Sequence, residues 1–297
     1  GYGIGKLLTW LRLTGGVPTH SGKDSIAHIL FIKHELPEIY RQTYKFLEPK
    51  DYINMRLTGQ FAATYDSANL HWLTDNRDIY NIVWDNRLLG MAGVGREKLP
   101  ELRRTLDVLG PLRAEVAREL GLSEKTLVVA GATDAQSAAI GSGAVRDYEA
   151  HLYLGTSSWI SCHVPFKKTD LLHSMASLPS AIPGKYYIAN EQECAGACLN
   201  FLRDNLLYAE DELRTGAPPG NIYEVFDRMA EQTPAGSEGV IFTPWLVGER
   251  TPVEDALIRG GFFNLSLKTE RRVLVRAVFE GVAYNARWLL ECVERFA

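Results

Sequence analysis

Thr126–Val145, TLVVAGATDAQSAAIGSGAV, is the stretch whose reading decides the fold class. From Thr126 to Ala132 it is a short run of β-branched and apolar residues that closes on Gly131 and Ala132, the pattern of a short strand. From Asp134 onward small residues recur at helical spacing, so the stretch reads as strand, sharp turn, helix. Asp134 falls at the start of that helix, where the dipole and the free backbone N–H groups favour an ionised carboxylate. Such a carboxylate can accept a proton. Asp is also a common helix cap, and capping does not exclude catalysis.

Downstream, HLYLG from His151 runs through the polar turn TSS into WISCHV, a hairpin pattern with a tight glycine-containing bend that opens a new structural unit. Gly155, Thr156, Ser157 and Ser158 form a small-residue turn whose N–H groups and hydroxyls can converge on phosphate oxygens. The turn lacks the spacing and Lys of a Walker A loop, and glycine-containing hairpin turns are common in β proteins. KYYIAN reads as a strand, AGACLNFLRDNL as a helix and GVIFTPWL as a further strand. Gly196 lies at a strand-to-helix junction, where a missing side chain lets a nucleotide approach the backbone, or where glycine simply starts the helix. Glu249, Arg250 and Thr251 in GERTP follow a strand, with a local salt bridge as their simplest explanation. A long helix opens near Thr269, with Leu274, Ala277, Val278, Gly281, Val282, Trp288, Leu289, Cys292, Val293 and Phe296 largely on one face.

Upstream, Ile26, Ile29, Ile32, Leu36, Ile39, Tyr40, Tyr44 and Leu47 recur at mostly three- and four-residue steps, an amphipathic helical region interrupted at Pro37. Asp51–Leu57 reads as a short helix, and TGQFAATYDSAN after it as loop or strand carrying substrate-facing loops. Asn86–Leu120, with glycines and prolines among short apolar groups, fits small helices and turns. Lys6 and Trp10 fit an amphipathic helix that packs its Trp, and His71 with Trp72 fits a surface pair. Strands, hairpins and helices alternate without a repeat, which favours an α/β class.

The 297 residues, 46% hydrophobic, suffice for two ordinary cores, with a linker expected near Gly143 to Glu149. Basic and acidic residues are well mixed, 32 against 36, so no basic stripe points to nucleic acid. Cys162, Cys194, Cys198 and Cys292 show no CxxC pair or metal-like spacing and read as buried thiols in a reducing cytosol. No uncharged apolar run is long enough to cross a membrane, and GYGIGKLLTW lacks a secretory pattern, so a cytoplasmic location is expected. The chain starts without Met and ends at ECVERFA in a running helical pattern, so both ends read as cuts.

GKLLTWL, FLEPKDYINMRLTG, GATDAQSAAIGSGA, LGTSS, AGACLNFLRDNL, FTPWLVGERTP and RGGFFNLSL occur in the order seen in the FGGY carbohydrate kinases. Essentially the whole chain resembles that family, and KFLEPKDYINMRLTG through GERTP to FEGVAYN is most similar to its xylulose kinase branch. The resemblance implies two actin-like, ribonuclease-H-like domains with sugar and ATP in the cleft between them. Residues 1–145 are then the later part of the sugar-binding N-terminal domain, and 146–297 most of the ATP-binding C-terminal domain. It implies that Asp134 is the catalytic base that removes the sugar hydroxyl proton. Relatives often carry Gln directly after this Asp, whereas here Ala135 intervenes, so Gln136 joins Asp134 as the expected sugar-binding pair. Gly155, Thr156 and Ser157 inherit a role facing the ATP phosphates, and Gly196 with Asn200 matches the nucleotide segment of the family.

The implied reaction is ATP-dependent phosphorylation of a sugar hydroxyl, D-xylulose to D-xylulose 5-phosphate, with Mg²⁺ bridging the phosphates and homodimers possible. Positioning and charge stabilisation dominate such transfers. Within the family the alternatives are kinases for ribulose, fuculose, gluconate or glycerol. Outside it are a non-catalytic sugar- or nucleotide-binding relative, and an actin-like or chaperone-like ATPase that needs no sugar. Neither the D-x-G-T phosphate hairpin nor the GG-containing adenine loop of the family occurs in the sequence, and the full enzyme is expected to extend beyond both ends.

Overall fold

The computed structural model describes residues 3–19, 22–214 and 216–297. These form two compact units. The first takes the chain up to Glu149 together with Cys162–Thr169 and Ala176–Ile188; the second takes Ala150–Ser161, Asp170–Met175 and Ala189–Ala297. The chain passes from the first unit to the second after Glu149, then contributes two later segments to the first unit.

In the first unit, α1 (Ile4–Thr14) buries Trp10, whose indole Nε1 donates to the Trp72 carbonyl at 2.9 Å. The long amphipathic region is two helices, α2 (Ser25–Glu35) and α3 (Pro37–Gln42), because Pro37 cannot donate its nitrogen to the preceding turn and starts a helix instead. Proline also opens α4 (Pro49–Thr58), and Gly59 at φ 80° closes it. β1 (Ala62–Thr64) leads into the single turn α5 (Tyr65–Ala68), where Thr64 and Ser67 form a reciprocal capping box. A small antiparallel pair, β2 (Thr74–Asp75) with β3 (Val83–Trp84), precedes α6 (Asn86–Ala92), whose Asp85 cap accepts from the amides of Arg87 and Leu88.

The region Asn86–Leu120 holds more than small helices and turns. β4 (Glu101–Arg103) pairs parallel with β1, and β5 (Val108–Pro111) pairs antiparallel with β6 (Leu127–Val129) across α7 (Ala114–Leu120). These strands are short and partly exposed, so partner pairing rather than an apolar pattern defines them. β6 runs through a turn into α8 (Asp134–Gly141), the strand, turn and helix read from Thr126–Val145. His71 and Trp72 are not a surface pair: they are 1% and 9% exposed, and the His71 ring sits edge-on to Trp84 at 5.5 Å. Trp10, Leu13, Ile29, Leu73, Trp84 and Leu88 belong to the apolar core of this unit.

The hairpin β7 (His151–Leu154) and β8 (Ser158–Ser161) belongs to the second unit, in the register His151↔Ser161 and Leu154↔Ser158. β9 (His163–Val164), β10 (Thr169–Asp170), β11 (Met175–Pro179) and β12 (Tyr186–Ala189) follow, in a sheet of order β10-β11-β12-β9 that lies in the first unit apart from strand ends. The second unit continues with α9 (Gly196–Phe201), which widens into a π-helix at Leu202–Leu207, and α10 (Ile222–Glu231). It ends with the antiparallel pair β13 (Ile241–Thr243) and β14 (Gly261–Phe263) and the long α11 (Arg271–Phe296). Its core joins Cys198, Leu202 and Phe226 to Phe242, Val275 and Val278. On α11, Trp288 is 39% exposed and Asn285 is buried, the reverse of what apolar spacing predicts. Asn285 is buried because its side chain hydrogen-bonds Glu249 and Trp245.

All four cysteines are free and buried. Among the described residues, no helix is long and apolar enough to cross a membrane.

Burial holds His71 and His163 of the first unit near a pKa of about 4, against an ordinary value of 6.5. Between pH 6.5 and about 4 the unfolded chain therefore binds more protons than the folded one at these two sites, and their contribution to stability falls as pH falls, by about 2 kcal/mol each at pH 5. An NMR titration should leave both imidazoles in the neutral form at pH 5.5. Titration of either ring near pH 6.5 would contradict the burial argument.

Candidate active site

Asp134 is the first residue of α8, one position after the N-cap Thr133, and its side chain is exposed. It is therefore not the cap itself. Its Oδ1 accepts from the Ala135 amide at 2.8 Å, which turns the carboxylate across the first turn of the helix. Gly131 at φ 74° allows the strand to break sharply into that helix. The turn is held from the α4 and α5 side: Asn54 Nδ2 and Lys50 Nζ donate to the Ala130 carbonyl at 2.7 and 3.2 Å, and the Thr133 amide donates to Asp66 Oδ2 at 2.7 Å.

Gln136 sits two residues further along the helix, on its opposite side. It is 6% exposed; its Nε2 donates to the Pro179 carbonyl at 3.1 Å and its Oε1 accepts from the Ala181 amide at 2.5 Å. Both ends of the amide thus hold the end of β11, a different engagement from the sugar contact expected of this residue. Tyr187 Oη adds a 3.3 Å hydrogen bond to the Ala135 carbonyl.

The second group of residues lies in the other unit. Gly155, Thr156 and Ser157 form the bend between β7 and β8, closed by a 2.9 Å hydrogen bond from the Gly155 amide to the Ser157 carbonyl. The amides of Ala195 and Ala197 donate to the Thr156 carbonyl at 2.8 and 3.2 Å, and the Gly196 amide donates to the Gly155 carbonyl at 2.7 Å. The start of α9 is therefore hydrogen-bonded onto the bend. A Cβ at position 196 would stand 2.7 Å from the Gly155 oxygen, so the demand for glycine there comes from the approach of two stretches of this chain's own backbone. Thr156 stays exposed at the tip. Asn200, one turn into α9, accepts from Tyr223 Oη at 2.5 Å.

Beneath this bend runs a buried polar network that sequence reasoning missed. Ser158 and Gln192 exchange backbone hydrogen bonds at 3.1 and 2.7 Å, and Ser158 Oγ donates to Gln192 Oε1. Gln192 Nε2 donates to the Asn285 carbonyl at 2.8 Å, Asn285 Nδ2 to Glu249 Oε2 at 2.7 Å, and Trp245 Nε1 to Asn285 Oδ1 at 3.3 Å. Glu249 Oε1 accepts from the amides of Glu193 and Arg250 at 3.0 and 2.9 Å. Glu249 is 6% exposed, and burial pushes its carboxyl above the usual range against the lowering effect of Asn285 and the two amides. The local Glu249–Arg250 salt bridge is thus replaced by something else: Arg250 pairs with Glu191 and Glu193 at 2.5 and 2.9 Å, leaving Glu249 to accept from the Asn285 side chain and two backbone amides. The charge pattern GERTP was visible in sequence; its partners, separated by about 36 to 60 residues, were not.

Two substitutions test these constraints on stability. Gly196→Ala should cost about 1–3 kcal/mol because the hairpin must move. Glu249→Gln should cost a similar amount, about 1–3 kcal/mol, because a side-chain NH₂ would face either Asn285 Nδ2 or two backbone N–H groups. Urea unfolding of each variant beside the parent measures both, and midpoints equal to the parent's would refute them.

Comparison with known proteins gives this arrangement a family. The model of the FGGY family of carbohydrate kinases, N-terminal domain, matches residues 10–141, and that of the C-terminal domain matches residues 150–296. The chain is 30% identical over 271 residues to a xylulose kinase of Lactococcus lactis, covering 91% of this chain and 51% of that protein. It is 28% identical over 272 residues to a gluconokinase of Bacillus subtilis, covering 91% and 52%. A ligand-bound xylulose kinase structure from Lactobacillus acidophilus superposes with a TM-score of 0.80 at 29% identity, over 96% of this chain and 56% of that one. The chain spans about half the length of the relatives it matches. With both family domains matched in order and the two-domain fold shared with solved xylulose kinases, the chain belongs to the FGGY family of carbohydrate kinases.

Proposed function

We propose that the chain is the catalytic portion of an ATP-dependent sugar kinase that phosphorylates D-xylulose to D-xylulose 5-phosphate. The observation that carries this reading is the exposed carboxylate of Asp134 at the head of α8, in a chain whose relatives include several xylulose kinases. Residues 1–145 supply the sugar side of the chemistry and 146–297 the nucleotide side. Asp134 takes the proton from the acceptor hydroxyl as its oxygen attacks the γ-phosphorus; the P–O bond to ADP breaks, and ADP leaves with the bonding pair. The Gly155–Ser157 bend and the exposed Thr156 hydroxyl bind phosphate oxygens, and Gly196 with Asn200 borders the nucleotide.

Mg²⁺ enters with ATP as part of the substrate. Among the described residues no group of three or more His, Cys, Asp or Glu side chains stands ready to cage a metal, which suits an ion held mainly by phosphates. Gln136 acts on the sugar side by holding the β11 end against α8. A cytoplasmic enzyme is the form we expect.

A second reading, gluconate as the acceptor, is favoured by the gluconokinase of Bacillus subtilis and by the gluconate kinase structure from Lactobacillus acidophilus, which matches at 28% identity and a TM-score of 0.78. The test is ADP release by the full-length protein with Mg-ATP and a panel of D-xylulose, D-ribulose, L-fuculose, gluconate and glycerol, beside Asp134→Asn. Release should require a sugar, be fastest with D-xylulose and fall by about 100- to 10,000-fold in the variant. A preference for gluconate would favour the second reading, and sugar-independent release or an undiminished variant would defeat the kinase or base assignment.

A further inference from the structure

We infer that Asp66 is a positioning residue for the Asp134 carboxylate, an inference that rests on Asp134 being the base. The peptide joining Thr133 to Asp134 sets the direction in which the Asp134 side chain leaves the helix. Of the groups on either side, the Thr133 carbonyl accepts from the Ser137 amide at 2.8 Å, inside the first turn, and the Thr133 amide donates to Asp66 Oδ2 at 2.7 Å. The N-cap residue is thus held on one side by the helix it starts and on the other by a single carboxylate 67 positions earlier. Charge-assisted bonds of this kind are shorter and roughly twice as strong as neutral ones.

Asp66 is itself fixed. It is 4% exposed, and its other oxygen, Oδ1, has no partner among the described residues, so the carboxylate's hydrogen bonding is spent on the turn. It lies in the single turn α5, whose capping box joins Thr64 to Ser67, and Ser67 Oγ donates to Asp51 Oδ2 at 2.6 Å. Asp51 is fully buried and pairs with Lys50 at 2.5 Å. Lys50 and Asn54 in turn grip the Ala130 carbonyl at the other end of the same turn. The strand-to-helix turn is therefore clamped at both ends by one connected group on α4 and α5. Lys50 and Asn54 hold the strand end, and Asp66 alone of that group reaches the residue next to Asp134.

The test uses the full-length protein and compares the parent with Asp66→Ala and Asp66→Asn, first by hydrogen–deuterium exchange across residues 131–136 and then by kinetics with Mg-ATP and the best sugar of the panel. In Asp66→Ala, exchange in 131–136 should quicken with the rest of the chain unchanged. Its kcat should fall by about 10- to 100-fold with KM for ATP within twofold, as expected when a base is displaced by about 1 Å. Asp66→Asn, which can still offer an oxygen to the Thr133 amide, should recover much of the loss. Asp66→Ala with kcat within twofold of the parent overturns the inference and leaves the kinase reading intact. Should that variant not fold, Thr133→Pro, which removes the amide donor at a residue whose φ of -66° suits proline, takes its place, and kcat within twofold of the parent overturns the inference equally. A parent that shows no sugar-dependent ADP release defeats the reading of Asp134 and this inference with it.

Discussion

A buried carboxylate with no ion-pair partner among the described residues ties three stretches of the second unit together. Glu249 accepts from two backbone amides and the Asn285 side chain, and each of these donors belongs to a different stretch of chain: the loop after β12, its own loop and the last helix. Removing a carboxylate from water is expensive, and only hydrogen bonds of this number and quality offset the cost. Once Glu249 is committed in this way, the loop from Glu191 to Ala195 has little freedom. Gln192 then fixes Ser158, and Ala195 to Ala197 meet the hairpin bend. The placement of the bend therefore follows from a polar residue far from it in sequence.

The first unit solves a similar problem with different chemistry. A short strand of only three residues, β6, must deliver Asp134 at a fixed angle. Apolar packing beneath it is slight, since Leu127 and Val129 are 60% and 47% exposed. Directional contacts from Lys50, Asn54 and Asp66 make up the difference. In both units the polar groups behind the candidate residues are buried or half-buried parts of the scaffold, while Asp134 and Thr156, to which the proposed function gives the ligand contacts, stay exposed.

Much of this was legible in sequence. The strand and helix around Asp134, the hairpin at His151, the break at Pro37 and the helix from Gly196 are local patterns, and local patterns survive folding. The strands at Glu101 and Val108 were not legible, because ELR and VLGP become strands only through pairing with distant partners. His71 and Trp72 looked like surface residues because nothing local shows that Trp84 will meet the His71 ring or that Trp72 will join the apolar core. Asn285 broke the apolar stripe of the last helix for the same reason: its partners are Gln192, Trp245 and Glu249, and no spacing rule connects them. The candidate site residues themselves stood out by type, Asp after a strand and glycine at a bend. The residues that aim them did not, because a buried Asp66 in TYDSAN resembles any turn aspartate until its distant amide is known.

The close approach of Gly196 to Gly155 also bears on the ligand contact that the proposed function places there. Flexible phosphate-binding loops lose conformational entropy when the ligand arrives, and that loss subtracts from affinity. Here the bend and the start of α9 are already joined by hydrogen bonds from Ala195, Gly196 and Ala197, so the ordering has occurred during folding. Under the proposed function, phosphate binding at so preorganised a bend would keep most of its interaction energy and ask little of induced fit at this point of the chain.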